Sequence, residues 1–180
     1  MRIRSAVRDD AAALGRVMVA SWLSAHEGHM PAEAWRRRVA EWTPEVSAQG
    51  WARVLDAQAH GDAPGDVLLV AEDQAGQAVG LVYGRAADGD PSSTAEVGSL
   101  YVAPTCRRQG IGAALLRAAG MELHDLGYST IRLDVLSANR EARAFYEDMG
   151  GREVGRGMFE EEGFLLPVTI YEWSSDVLAP

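Results

Sequence analysis

The run Arg107-Arg108-Gln109-Gly110-Ile111-Gly112-Ala113 follows a strand-like Ser99-Leu100-Tyr101-Val102-Ala103-Pro104 and opens a helical pattern. Glycines at 110 and 112 remove Cβ atoms where main chain must approach a ligand closely. The unpaired N–H groups of a helix's first turn, aided by the macrodipole, favour an anion there. Arg107 and Arg108 add full positive charge beside those amides, so the chemistry predicted is phosphate binding. A P-loop needs Lys after its last Gly, and the chain contains no Lys, which also removes a Schiff-base lysine. A dinucleotide fingerprint fits poorly. Asp134 lies roughly where a ribose-binding acid would stand, but the third small position is Leu115, and the segment from Thr105 to Gln109 separates strand from first Gly.

A second motif follows in the order Asn139-x-x-Ala142-x-x-Phe145-Tyr146-Glu147-x-x-Gly150. Together with Arg107-x-x-Gly110-x-Gly112 after Leu100-Tyr101-Val102-Ala103-Pro104, it resembles the acyl-CoA-binding core of the GCN5-related N-acetyltransferase (GNAT) superfamily. The resemblance covers about the second half of the chain directly, and the element order of the first half is compatible with it. It implies one N-acetyltransferase domain over residues 1–180, with acetyl-CoA as cosubstrate and no metal. Leu100, Tyr101, Val102, Arg107, Arg108, Gln109, Gly110, Ile111, Gly112, Ala113, Asn139, Ala142 and Tyr146 are the cofactor-binding residues it implies.

Acyl transfer from a thioester to an amine needs a neutral amine, a polarised carbonyl and a stabilised leaving thiolate. An alkyl amine titrates near Lys, about 10.4, and benefits from a base at neutral pH. By resemblance Glu96 is expected on the acceptor side as that base, acting directly or through water. Its alternative is a strand-edge carboxylate in solvent or paired with an Arg. Gly98 in the same strand predicts a bulge. In GNAT enzymes such a bulge splays two parallel strands and frees backbone N–H groups for the thioester carbonyl, which points here to Leu100 to Val102. Tyr146 is expected to donate a proton to the departing thiolate. Helical spacing puts residues 139, 143 and 146 on one face, so Asn139 and Tyr146 can line one ligand, while a plain N-cap is the other reading of Asn139.

Arg2 to Val7 alternates as a strand, and Asp9 or Asp10 caps a helix carrying Leu14, Val17, Met18 and Trp22. Pro31 starts a helix with Trp35, Val39 and Trp42 on one face, and Thr43-Pro44 caps another through Trp51, Val54 and Leu55, with Gly50 as its weak point. Val67 to Glu72 and Ala78 to Arg85 pair around a turn at Asp73 to Gln77, and Asp88-Gly89-Asp90-Pro91 is a loop. Ala95 to Ala103 is the next strand. A helix from Gly110 ends at Gly127, so Thr130 to Leu136 must run parallel to the strand before that helix. A helix spans Asn139 to Met149, and strands Glu153 to Glu160 and Phe164 to Trp173 turn at Glu161 to Gly163. The fold class is α+β (mixed α/β), and the resemblance makes it a GNAT-like acyl-CoA N-acyltransferase fold. Its sheet is central, mixed and mostly antiparallel with one parallel splayed pair, and helices cover both faces.

Composition narrows the function. At 180 residues and 47% hydrophobic, the chain can build a sizeable core. A net charge of −9 argues against nucleic acid as partner and favours cationic encounter partners. One cysteine, Cys106, allows no internal disulfide, and no leader-like or long apolar stretch is visible, so no membrane partner and a cytoplasmic setting are expected. His26-Glu27-Gly28-His29 has histidines three apart where a metalloprotease helix needs four. Trp22, Trp35, Trp42 and Trp51, among Glu27, Glu33, Glu41 and Glu45, either form an aromatic, acidic acceptor pocket or simply glue helices to the sheet. The expected activity is acetyl transfer to a primary amine of a small molecule. The alternatives are a protein or peptide acetyltransferase and a non-catalytic acyl-CoA sensor, and the chain is expected as a monomer or homodimer.

Overall fold

The computed structural model describes residues 1–88 and 92–178. In chain order the elements are β1 (Arg2–Ser5), α1 (Ala11–His26), α2 (Ala32–Glu41), α3 (Pro44–His60), β2 (Val67–Glu72), β3 (Ala78–Ala86), β4 (Thr94–Val102), α4 (Ile111–Asp125), β5 (Thr130–Leu136), α5 (Arg140–Asp148), β6 (Arg152–Glu161), β7 (Phe164–Ser174) and α6 (Ser175–Leu178). The seven strands form one sheet in the order β1-β2-β3-β4-β5-β7-β6. Among the described residues β4 and β5 are the one parallel pair, and α4 is the crossover that parallel pairing requires.

The helices divide between the two faces. Leu115, Leu116, Ala119 and Leu123 of α4 bury against Val82, Val97, Ile131 and Leu133, with Tyr146 of α5 and Leu178 of α6 in the same core. On the opposite face Leu14 and Val17 of α1 and Trp51 and Leu55 of α3 cover Leu68, Val70 and Leu81. Gly15 lets α1 lie directly on α3, since a Cβ there would stand 2.4 Å from the Pro44 carbonyl oxygen. Gly50 does not interrupt α3, because its added Cβ would meet only Arg53 at 4.0 Å. The first strand is shorter than expected, though Ala6 still donates its N–H to the Leu68 carbonyl. The α6 turn was not expected from the sequence. The loop expected at Asp88-Gly89-Asp90-Pro91 lies, beyond Asp88, outside the described residues.

Two irregularities in β4 make room for a ligand. The register with β3 shifts between Tyr83–Ser99 and Gly84–Val97, which leaves Gly98 as the expected bulge. Pairing with β5 covers only Thr94–Thr130, Ala95–Ile131 and Glu96–Arg132. Beyond that rung the strands part.

Candidate active site

The opening between β4 and β5 is a cleft of about 750 Å³. Its floor is the diverging strand pair, from Val97 to Val102 on one side and Leu133 to Leu136 on the other. The loop into α4 closes one end, α5 forms a wall, and the C-terminal end of α1 borders it from the other sheet face.

The loop has the backbone of an anion cradle. Gly110 sits at φ 79°, ψ 0° as the N-cap of α4, and Arg108 is also left-handed at φ 61°. Only Gly takes that conformation freely. No side chain caps the helix, so the first-turn N–H groups of Ile111, Gly112 and Ala113 are left for a ligand. Arg107 borders the cleft while donating to Ser24 Oγ and the Ser21 carbonyl, both at 3.2 Å, so its guanidinium is pre-placed by α1. Arg108 is exposed and stands 3.8 Å from Glu141 of α5. The uncapped first-turn amides of α4, with Arg107 held beside them at the border of the cleft, fit a pyrophosphate group.

On α5, Asn139 Oδ1 accepts the Ala142 N–H at 3.0 Å, so Asn139 is both the N-cap and a cleft residue. Tyr146 borders the cleft, is 8% exposed and packs in the main core beside Tyr171 and Trp173. Burial raises its hydroxyl above the ordinary tyrosine value, and nearby Tyr101 adds to the rise. The expected division of the helix face is modified. Arg143 turns away from the cleft, donating to Tyr171 Oη and Glu153, while Tyr171 donates to Glu147.

Leu100, Tyr101, Val102, Arg107, Arg108, Gly110, Ile111, Gly112, Ala113, Asn139, Ala142 and Tyr146 thus all border one cleft. Two expected residues do not. Gln109 is exposed and outside the lining, since the left-handed residues on either side turn it outward. Glu96 belongs to the last rung before the strands part, so its side chain leaves a closed part of the sheet and stands 3.8 Å from Arg85. It does share a face with Ser99 and Tyr101, because the bulge resets the alternation.

Asp134 takes the position that Glu96 lacks. It borders the cleft from β5, and partial burial raises its carboxyl above the usual aspartate value against the opposing pull of Arg132. In the sequence it stood out only as a poorly fitting ribose-binding acid near the end of a strand, not as a base. The aromatic segment also differs from the acceptor pocket considered above. Trp22, Trp35 and Trp42 do cluster, but Arg38 fills the cage, 5.0 Å above Trp22 and 4.1 Å above Trp42. Arg38 pairs with Glu161 at 3.3 Å and Glu162 at 3.5 Å, tying α2 to the β6–β7 hairpin. Trp51 packs instead on Tyr83, and Glu27, Glu33, Glu41 and Glu45 are exposed. Among the described residues no cluster of His, Cys, Asp and Glu could hold a metal ion, and no helix is long and apolar enough to cross a membrane.

Comparison with known proteins agrees with this geometry. Residues 31–150 match the model of the acetyltransferase (GNAT) family. Mycothiol acetyltransferase from Propionibacterium freudenreichii is 40% identical over 83 residues, which are 46% of this chain and 27% of that protein. Human N-acetyltransferase 8 is 34% identical over 98 residues, 53% of this chain and 42% of that one. The chain therefore matches less than half the length of either relative. The PaiA N-acetyltransferase of Thermoplasma acidophilum, solved with coenzyme A, shares the fold at a TM-score of 0.74 and 20% identity, with 96% of this chain and 98% of that one covered. With the family model spanning more than half of its residues, the chain belongs to the acetyltransferase (GNAT) family.

Proposed function

We propose that the chain is an acetyl-CoA-dependent N-acetyltransferase that moves an acetyl group to a primary amine by direct attack, with a small-molecule amine as acceptor. One observation carries the reading: a single cleft joins the free N–H groups of α4 to Tyr146 and Asp134 across the splayed strands. The coenzyme A complex of the Thermoplasma relative supports the cosubstrate. Acetyl-CoA supplies the activated acyl group, and the rest is done by side chains and main chain of the protein.

The α4 amides and Arg107 hold the pyrophosphate. The β4 edge at Leu100 to Val102, released from pairing beyond Glu96, offers main-chain donors to the thioester carbonyl. Asp134 Oδ takes the proton from the attacking amine, and its raised pKa makes it a stronger base than an ordinary aspartate. Tyr146 stays protonated at neutral pH and donates from its hydroxyl to the leaving sulfur. A thiol titrates near 8.5, below that phenol, so the hydrogen bond to the developing thiolate is the larger part of its contribution. Glu96 stands beside Arg85 on the acceptor face, on the last rung before the opening.

The test is incubation with acetyl-CoA labelled in its acetyl carbons, a panel of small primary amines and peptides with free N-termini, and mass spectrometry of the products. The expected result is a labelled small amine and free CoA in equal amounts. Product on peptides alone would transfer the acceptor assignment to proteins. CoA binding with no product on any amine would contradict the enzyme and leave the sensor.

A further inference from the structure

His26 ends α1 at the border of the cleft, and the mechanism above does not use it. Its Nδ1 lies 2.8 Å from the Trp22 carbonyl oxygen. A carbonyl can only accept, so Nδ1 carries the proton and Nε2 presents a lone pair. The ring is stacked flat on Trp22 at 3.9 Å and 9°, which fixes its plane as well as its tautomer. Among the described residues the buried side-chain polar atoms without a partner are Arg38 Nε and Trp51 Nε1. Nε2 of His26 is not one of them and no described residue donates to it, so its lone pair is unused on a residue that borders the cleft.

The turn after His26 is on the acceptor side. Met30 packs on Leu136, Leu166 and Val168, on the face that carries Asp134 and away from α4. The charged groups around the ring are His29 on the next turn, Arg38 from α2, and Arg107, which reaches back to Ser21 and Ser24. Burial pushes the imidazole down to about 4, with His29 and Arg38 adding to the fall, so the ring is neutral throughout the working pH range.

Building on the acetyltransferase reading, we propose that His26 selects the acceptor: its Nε2 accepts a hydrogen bond from an N–H of the incoming amine and orients it between Asp134 and the β4 edge. A neutral acceptor of this kind discriminates in favour of amines that retain a second N–H to donate. A primary amine can serve both Asp134 and Nε2, whereas a secondary amine, with one N–H, leaves one of the two unmet.

The experiment uses n-butylamine as probe with the whole protein. Long-range 15N–1H spectra should show a protonated Nδ1 and a bare Nε2 for His26 from pH 5 to 8. Adding butylamine to the CoA-loaded protein should shift Nε2 of His26 and leave His29 in place. His26→Phe keeps a flat ring on Trp22. It should bind CoA within about twofold of the parent and raise the butylamine KM roughly tenfold, the factor expected for one lost hydrogen bond. His26→Gln, which restores an acceptor oxygen, should recover part of that loss and serves if the Phe variant does not fold. A proton on Nε2, or no Nε2 shift at saturating amine, would overturn the proposal, as would an unchanged butylamine KM in His26→Phe. Absence of acetylated product with the Nε2 shift present would instead count against the acetyltransferase reading alone.

Discussion

In the proposed mechanism Tyr146 and Asp134 divide the proton chemistry between two elements, and their environments give them separable signatures. Tyr146→Phe should keep CoA affinity within a few-fold while kcat falls by on the order of 10², the typical loss of one donor to a developing charge. Because burial raises the hydroxyl above its ordinary value, the wild-type kcat should show no alkaline fall from this group below about pH 10, a limit set by the ordinary tyrosine value. Asp134 is shifted in the direction that raises an acid limb. Activity should decline as pH falls through a value above the ordinary aspartate range, because protonation removes the base. Asp134→Asn should abolish that limb, with the residual rate climbing as alkali supplies neutral amine. Glu96→Gln should be close to wild type in the same assay, and the reverse ranking of the two variants would return the base to Glu96. That the loop into α4, apart from Gln109, borders the same cleft as Asn139 and Tyr146 was legible from local geometry: left-handed glycine, N-cap, helical spacing. Asp134 and His26 drew notice only in other roles, as a ribose-binding acid and in a metal motif with the wrong spacing. Which strand residue faces the opening depends on where β4 and β5 stop pairing, and that depends on distant packing that no local pattern records.

At the scale of elements, the helices are placed by close approaches that admit simple tests. Gly15→Ala puts a Cβ 2.4 Å from the Pro44 carbonyl oxygen and 2.8 Å from the Ala48 amide nitrogen, so α1 and α3 must separate. Overpacking of this kind costs about 1–3 kcal/mol, and thermal melts should show a Tm lowered by roughly 2–12 °C for a domain of this size. The edge of the sheet is held by charge. Arg4 of β1 bridges Asp10 at 2.7 Å and Glu72 at 2.6 Å, and Asp10 also accepts the Val7 N–H. The hydrogen bonds from Arg4 hold the Asp10 carboxyl below its ordinary 3.8. That stabilisation is complete above 3.8 and is lost as pH falls through the lower folded value, so acid titration of Asp10→Asn should lack this part of the unfolding drift. Sequence patterning located nearly every strand and helix here, since alternation and the helical period are local. It could not locate α6, whose placement comes from Leu178 packing against Gly120 of α4, a contact no local pattern predicts.

At the scale of the molecule, two helical layers hold a sheet that is closed at one end and open at the other, and the opening is where the cradle, the phenol and the carboxylate meet. Gly112 is the position at which the opening can be blocked with the least disturbance. Its Cβ would rest 3.5 Å from Phe145 and 3.8 Å from Val102, ordinary contacts, and valine is a better helix former than glycine. The γ-methyls of Gly112→Val would nonetheless enter the space between α4 and α5 beside the cradle amides. Gly110→Val is a poorer probe, because φ 79° strains any residue with a Cβ. Calorimetric titration of coenzyme A into the parent protein and Gly112→Val, with melting curves of both, therefore addresses the central claim that this opening is the acyl-CoA site. One site per chain is expected in the parent, and in the variant an affinity at least 100-fold weaker at a Tm within about 3 °C, a shift worth roughly 1 kcal/mol. Equal affinity in the two proteins would contradict that claim.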